Sequence, residues 1–141
     1  VLRLTKDQHV LQGDPSTDSR EAVAMRCHAG HCDIARVYLA FQSVTSLLEG
    51  DSHRSYYRPR FSPDGQRFAA SVSDSGHWRI VVAGRDGRSV RIVNPGDGAN
   101  RYDAEWLSAD SLIVVSERGG VPNLEVMSVS TGGTLISLTV I

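Results

Sequence analysis

Apolar positions recur along this chain in short runs, and each run is broken by residues that suit tight turns. The stretch "RPRFSPDGQRFAAS", Arg58 to Ser71, shows the unit. Ser62-Pro63-Asp64-Gly65 reads as a reversal: Pro63 presets φ for the second turn position, Asp64 suits the third, and Gly65 tolerates φ > 0. A turn of this kind between apolar runs predicts a hairpin. Continuing along the chain, strands are predicted at Pro59–Phe61, Arg67–Val72, Trp78–Ala83 and Ser89–Val93, separated by "SPDG", "SDSGH" and "GRDG" and followed by "NPGDG". Four more are predicted at Ala104–Trp106, Leu112–Ser116, Asn123–Val129 and Leu135–Thr139. All are rich in Val, Ile and aromatic residues, which fit a pleated surface. The near-continuous run "SLIVVS" predicts a strand buried on both faces.

The pattern repeats. Leu2-Arg3-Leu4-Thr5, Ser46-Leu47-Leu48-Glu49, Arg91-Ile92-Val93-Asn94 and Ile136-Ser137-Leu138-Thr139 resemble one another, and Leu4 to Leu48 is 44 residues, Leu48 to Val93 is 45 and Val93 to Leu138 is 45. Phe61 is matched by Trp106, Phe68-Ala69-Ala70-Ser71 by Ile113-Val114-Val115-Ser116, and Gly87 by Gly132 in "STGGTLISLT". A tandem unit of four short strands and about 40–50 residues is a β-propeller blade, whereas a sandwich lacks a fixed four-strand period. The predicted fold is all-β: one partial propeller over 1–141, with about three four-stranded antiparallel blades at 6–49, 50–94 and 95–139. Residues 1–5 read as the last strand of a preceding blade. The chain starts at Val1, without an initiator Met or a signal peptide, which reads as a processed end or a cut inside a longer chain.

"PRFSPDG" before a strand, then "SGHWRIVVAGRDG" and "RIVNPGD", resembles the TolB-type propeller repeat. The third copy, "AEWLSADSLIVVSERGGVPNLEVMSVSTGGTLISLT", follows the pattern with Ser108 and Asp110 replacing Pro and Gly of the turn. The first is divergent: Thr17-Asp18-Ser19 stands at the motif, and Gln42 stands where the others carry Gly87 and Gly132. The resemblance spans essentially the whole chain and implies propeller structure far more specifically than function. It implies several settings: TolB, a periplasmic partner of outer-membrane lipoproteins; the gating propellers of prolyl-oligopeptidase-like and tricorn-like peptidases; and larger bacterial envelope or regulatory proteins. In each the propeller binds or gates, and the chemistry lies on another domain.

Composition narrows the partners. A net charge of −1 lacks the electrostatic footprint of a nucleic-acid binder. No apolar run approaches the roughly 18 residues of a membrane-spanning helix. No Gly-x-Ser-x-Gly elbow, phosphate-binding Gly-rich loop or His-Glu-x-x-His occurs. Asp64, Asp86 and Asp97 each neighbour Gly and are accounted for by turn geometry. No catalytic, cofactor-binding or metal-ligating residue is therefore assigned; Pro63, Asp64, Gly65, Gly87 and Gly132 are assigned to structural turns.

"RCHAGHCDI" is the one local cluster. By the repeat it is the hairpin between a blade's second and third strands, so Cys27 and Cys32 flank a four-residue loop and face each other across the ladder. Three readings stand: a cross-strand disulfide in an extracytoplasmic chain, two free thiols, or a metal site of two thiolates and two imidazoles. Tyr56-Tyr57, in a loop before a blade's first strand, and His77-Trp78 are read either as ligand platforms or as packing between blades. Arg54, Arg58, Arg60 and Arg67 form a basic patch read as solvated or ion-paired.

These observations predict a non-catalytic module binding another protein, in the periplasm or otherwise outside the cytoplasm. The alternatives are the access propeller of a peptidase whose catalytic domain lies outside this sequence, and a cytoplasmic setting. No cofactor, nucleic acid or membrane span is expected. Further blades of the same chain, or a second copy, are expected to close the propeller.

Overall fold

The computed structural model describes residues 3–93 and 96–137. Among these residues, twelve strands form three four-stranded antiparallel sheets, each in simple sequence order. The first holds β1 (Val10–Pro15), β2 (Glu21–His28), β3 (His31–Tyr38) and β4 (Ser43–Leu48). The second holds β5 (Arg54–Phe61), β6 (Arg67–Asp74), β7 (His77–Gly84) and β8 (Arg91–Val93), and the third holds β9 (Asn100–Trp106), β10 (Ser111–Arg118), β11 (Val121–Ser128) and β12 (Thr134–Ser137). The three sheets stack as successive blades. The first strands, β1, β5 and β9, touch in succession, and each of β5 and β9 also packs over the middle strands of the sheet before it.

The middle blade is buried on both faces because it has a neighbour on each side. Side chains alternate across a strand, so Phe68, Ala70, Val72, Val81 and Ala83 pack with Val23, Ile34 and Leu48 of the first blade. Ala69, Ile80, Val82 and Val93 pack with Ala104, Leu112, Val114, Met127 and Val129 of the third. This corrects the expectation for "SLIVVS". In β10 buried and half-buried positions alternate, with Ile113 and Val115 only half-buried, since the third blade has a neighbouring blade on one face only. Consecutive buried positions, and so burial on both faces, run through Phe68–Val72 of β6 and Ile80–Ala83 of β7.

The turn of "SPDG" is built as its residues require. Gly65 N–H donates to the Ser62 carbonyl (2.8 Å), the Ser62 hydroxyl donates to Asp64 (2.6 Å), and Asp64 also accepts from Gln66 N–H (3.0 Å). The divergent first copy makes the same turn. Ser16 donates to Asp18 (2.6 Å), Asp18 accepts from Arg20 N–H (3.1 Å), and Ser19 takes the left-handed conformation at φ 57°. Gln42, Gly87 and Gly132 likewise share a positive φ, at 52°, 82° and 71°. In the third copy the turn is one residue shorter, because Trp106 pairs with Leu112 where Phe61 pairs with Phe68. The counterpart of Phe68 is thus Leu112, not Ile113, and the step of 45 is restored in the longer turn before Gly132.

Among the described residues, 3–5 lie outside the three sheets; Val1 and Leu2 lie outside the described residues, as do Asn94, Pro95, Leu138 and Thr139. One further expectation is corrected. Tyr56 and Tyr57 are not in a loop but within β5, which starts at Arg54. The Arg-Pro pair after them reads as a strand start, yet the strand continues through a bulge at Arg58, whose φ is 49°.

Candidate functional site

That bulge recurs in every blade. The first-strand ladders slip between Leu11 and Asp14, between Tyr57 and Arg60, and opposite Ile113–Val115, and a residue in the left-handed conformation sits at each slip: Gln12 (φ 53°), Arg58 (φ 49°) and Asp103 (φ 55°). A bulge re-aims the chain on either side of it. Here all three bulge residues reach one cleft of about 500 Å³, whose other walls are Tyr57, Gly76, Trp78, Asn100, Tyr102 and Glu117.

The cleft has an aromatic wall. Trp78 lies between Tyr57 (ring centroids 5.1 Å) and Tyr102 (5.8 Å), bridging the second and third blades. Asn100 fixes Trp78 by accepting its backbone N–H (3.0 Å). Tyr102 donates its hydroxyl to Glu117 (3.1 Å). Burial, and then this bond to a carboxylate, raise the Tyr102 pKa, so the phenol stays protonated and serves as a donor. Arg58 lines the cleft, but its guanidinium is committed to Glu105 (2.7 Å) and the Ala104 carbonyl (2.9 Å). The acidic groups at the opening are Asp103, which is exposed, and Glu117, which is half-buried.

The aromatic pairs singled out in the sequence therefore divide. Tyr56 joins the core between the first two blades, while Tyr57 turns to the cleft, as alternation along a strand demands. Trp78 is in the cleft wall, and His77 beside it is exposed. Tyr102, Asp103 and Glu117 were missed; the repeat offered a signal, since Tyr102 stands 45 residues after Tyr57. The basic patch is engaged rather than free, three of its arginines in ion pairs and Arg67 by a carbonyl and a ring. Arg54 meets Asp74 (2.7 Å), Arg60 joins Arg58 on Glu105 (3.0 Å), and Arg67 donates to the Ala109 carbonyl and lies over the Trp106 ring. Asp97 does more than shape its turn: it makes a two-pronged pair with Arg101, with both bonds 2.8 Å.

Cys27 and Cys32 are disulfide-bonded, with Cα atoms 4.0 Å apart. The ladder continues one pair further, to His28–His31, so the loop is the two-residue turn Ala29-Gly30, with φ 48° and 81°, and not four residues. The bonded cysteines have no thiolate to offer a metal. His28, His31 and Asp33 do lie together, on the other face of the hairpin, with their ligand atoms within 4.8 Å of one another. Asp33 is buried, which by itself would raise its pKa. Hydrogen bonds from His28, the Gly50 N–H and Ser46 outweigh that and hold it below the usual carboxylate range.

Three consecutive four-stranded antiparallel blades define a segment of a β-propeller. No family model and no curated protein matches the chain. Among solved structures it is similar to a protein of Agrobacterium tumefaciens assigned as a TolB, with a TM-score of 0.82 and 19% identity over 96% of this chain and 51% of that one. It is also similar to TolB from Acinetobacter baumannii (TM-score 0.73, 19% identity, 91% of this chain and 32% of that one). A third similar structure is a puromycin-hydrolyzing peptidase of Mycobacterium tuberculosis (TM-score 0.71, 19% identity, 94% and 23%). The chain thus spans about half or less of the length of these proteins, and its fold is that of a TolB-like propeller segment.

Proposed function

We propose that the chain is a non-catalytic propeller module that binds another protein, and that the cleft receives a Lys or Arg side chain of that partner. The observation that carries this is the set of three aromatic faces beside two carboxylates, Asp103 and Glu117. A cation over aromatic rings contributes about 0.5–2 kcal/mol, more as water is excluded. Arg58 is drawn toward Glu105, which it shares with Arg60, so the pair leaves one positive charge that Asp103 and Glu117 together outweigh. The test is binding of a peptide library with Lys or Arg at one varied position. Basic peptides are expected to be selected, and to bind more weakly to Glu117→Gln and to Trp78→Ala. Equal binding by wild type and both variants overturns the reading.

The second reading is an access propeller of a peptidase, favoured by the peptidase among the similar structures. A Gly-x-Ser-x-Gly elbow in flanking chain would decide for it.

We further infer that 1–141 is part of a longer propeller outside the reducing cytoplasm. Propellers close with roughly four to eight blades. Leu11 and Phe41 of the first blade and Leu135 and Ile136 of the third are exposed, as expected of blades awaiting neighbours. The disulfide supports an oxidising compartment. Made without reductant in its host, the 141-residue chain is expected to self-associate in sedimentation and to resist alkylation at both cysteines. A monodisperse monomer counts against the missing blades, and two alkylated thiols count against the compartment. A defined dimer would point to closure by a second copy.

A further inference from the structure

We propose that His28, His31 and Asp33 form a binding site for a divalent transition-metal ion of the zinc class, separate from the cleft. The hairpin builds the site. Ala29-Gly30 is a two-residue turn with both φ positive, the type that sets the flanking residues directly opposite each other. His28 and His31 are that pair, with ring centroids 4.6 Å apart. Asp33 lies two residues after His31, hence on the same face of β3. Cys27 and Cys32 occupy the next pair, on the opposite face, and their disulfide ties the tip together without entering the site.

The three ligand atoms, within 4.8 Å of one another, need only small turns of the two His rings to reach tetrahedral spacing. Zinc–nitrogen bonds of about 2.0–2.1 Å place neighbouring ligand atoms about 3.3 Å apart. His28 Nε2 lies 2.8 Å from Asp33 Oδ2, and His31 Nε2 lies 3.8 Å from Asp33 Oδ1. An ion entering between them replaces the His28–Asp33 hydrogen bond with two metal bonds. The carboxylate is already oriented from behind: the Gly50 N–H donates to Oδ1 (2.8 Å) and the Ser46 hydroxyl to Oδ2 (3.1 Å). Outer partners of this kind hold metal-binding carboxylates in place. Two imidazoles and one carboxylate are ligands that zinc accepts, leaving a fourth position for water. His28 is the most exposed of the three and gives the ion its way in.

One group opposes the ion. Arg26, opposite Asp33 in the ladder, brings Nη2 to 3.7 Å from Oδ2 and 3.4 Å from the Ser46 hydroxyl. Removing that positive charge should therefore improve the site, an effect that a purely structural His–Asp contact would not produce.

The experiment titrates zinc chloride into the disulfide-intact protein by calorimetry, with cobalt(II) absorption to report tetrahedral coordination. One ion per chain is expected. His28→Ala and His31→Ala should each weaken binding by about tenfold or more, Ser46→Ala by about tenfold, and Arg26→Gln should tighten it. His77→Ala, at the matching hairpin of the next blade, should bind as wild type does. Because His28 and His31 sit at a hairpin tip outside the core, their variants are expected to keep the wild-type circular dichroism. Undiminished binding by the doubly substituted His28→Ala/His31→Ala protein overturns the site. Binding that appears only after reduction overturns it too, since Cys27 and Cys32 would then be the ligands.

Discussion

Arg101→Met is expected to lower the unfolding free energy by about 3–5 kcal/mol, the effect of leaving a buried charge without its partner. Arg101 is 1% exposed and holds two carboxylates: Asp97 through two bonds of 2.8 Å, and Glu125 through Nε (3.0 Å) and Nη2 (2.9 Å). Asp97 keeps Arg118 as a second partner, but Glu125 is buried and Arg118 reaches it only at 3.7 Å. The preceding interface shows what an apolar solution looks like. By the repeat, Arg101, Ser116 and Glu125 occupy the positions of Tyr56, Val72 and Val81, which pack together between the first and second blades. The double variant Arg101→Tyr/Glu125→Val is therefore expected to recover most of the lost stability, because replacing both charges removes the unmatched one. Urea unfolding of the three proteins checks this; a double variant as weak as the single would show that the ion cluster itself is needed.

The same cluster sets a pH dependence. The Arg101 hydrogen bonds, opposed by burial and helped by the Ala99 N–H and Arg118, hold the Asp97 carboxyl far below its usual range. A group whose pKa is depressed on folding adds stability that is fully present above its unfolded value, near 3.9, and is lost as pH falls toward the folded value. Unfolding free energy should thus fall with pH below about 4 in the wild type, and fall less steeply in Arg101→Met.

Gly50→Ala is expected to cost about 3 kcal/mol, Gly87→Ala about 2–3 and Gly65→Ala about 1. A Cβ at Gly50 would meet the carbonyl oxygens of Arg54 and Cys32 at 2.6 Å each, both backbone, at the passage from the first blade to the second. At Gly87 it would meet the Leu47 carbonyl at 2.8 Å in the adjacent blade. At Gly65, also of positive φ, the contacts begin at 3.4 Å on the Thr17 side chain and leave room. Gln42 holds the same left-handed conformation as Gly87, so conformation alone is tolerated at that place in a blade; close approach between blades is what excludes a side chain. Thermal melts of the three variants check the order. Equal melting temperatures would show that the blades yield at these contacts.

Local chemistry along the chain determined the blades. Pro63, Asp64 and Gly65 specify a reversal through their own φ preferences and hydrogen-bonding range, and the recurrence from Phe61 to Trp106 and from Gly87 to Gly132 is a count along the sequence that needs no coordinates. Cys27 and Cys32 could be set opposite each other for the same reason, since hairpin partners lie close in sequence. Tertiary structure decided what depends on a neighbouring sheet. Gly50 carries no signal along the chain, and only the Arg54 and Cys32 carbonyls closing on it show why no side chain fits there. Ile113 and Val115 read as core in a run of apolar residues, and only the one-sided packing of the third blade leaves them half-buried. Asp97 reads as a turn residue until folding brings Arg101 and the distant Glu125 to it. The cleft is the clearest case: Gln12, Arg58 and Asp103 are scattered over three blades, and each reaches it through a bulge that no residue type announces. A bulge is set by how one strand must bend to sit beside the next, and that is decided between blades rather than within one.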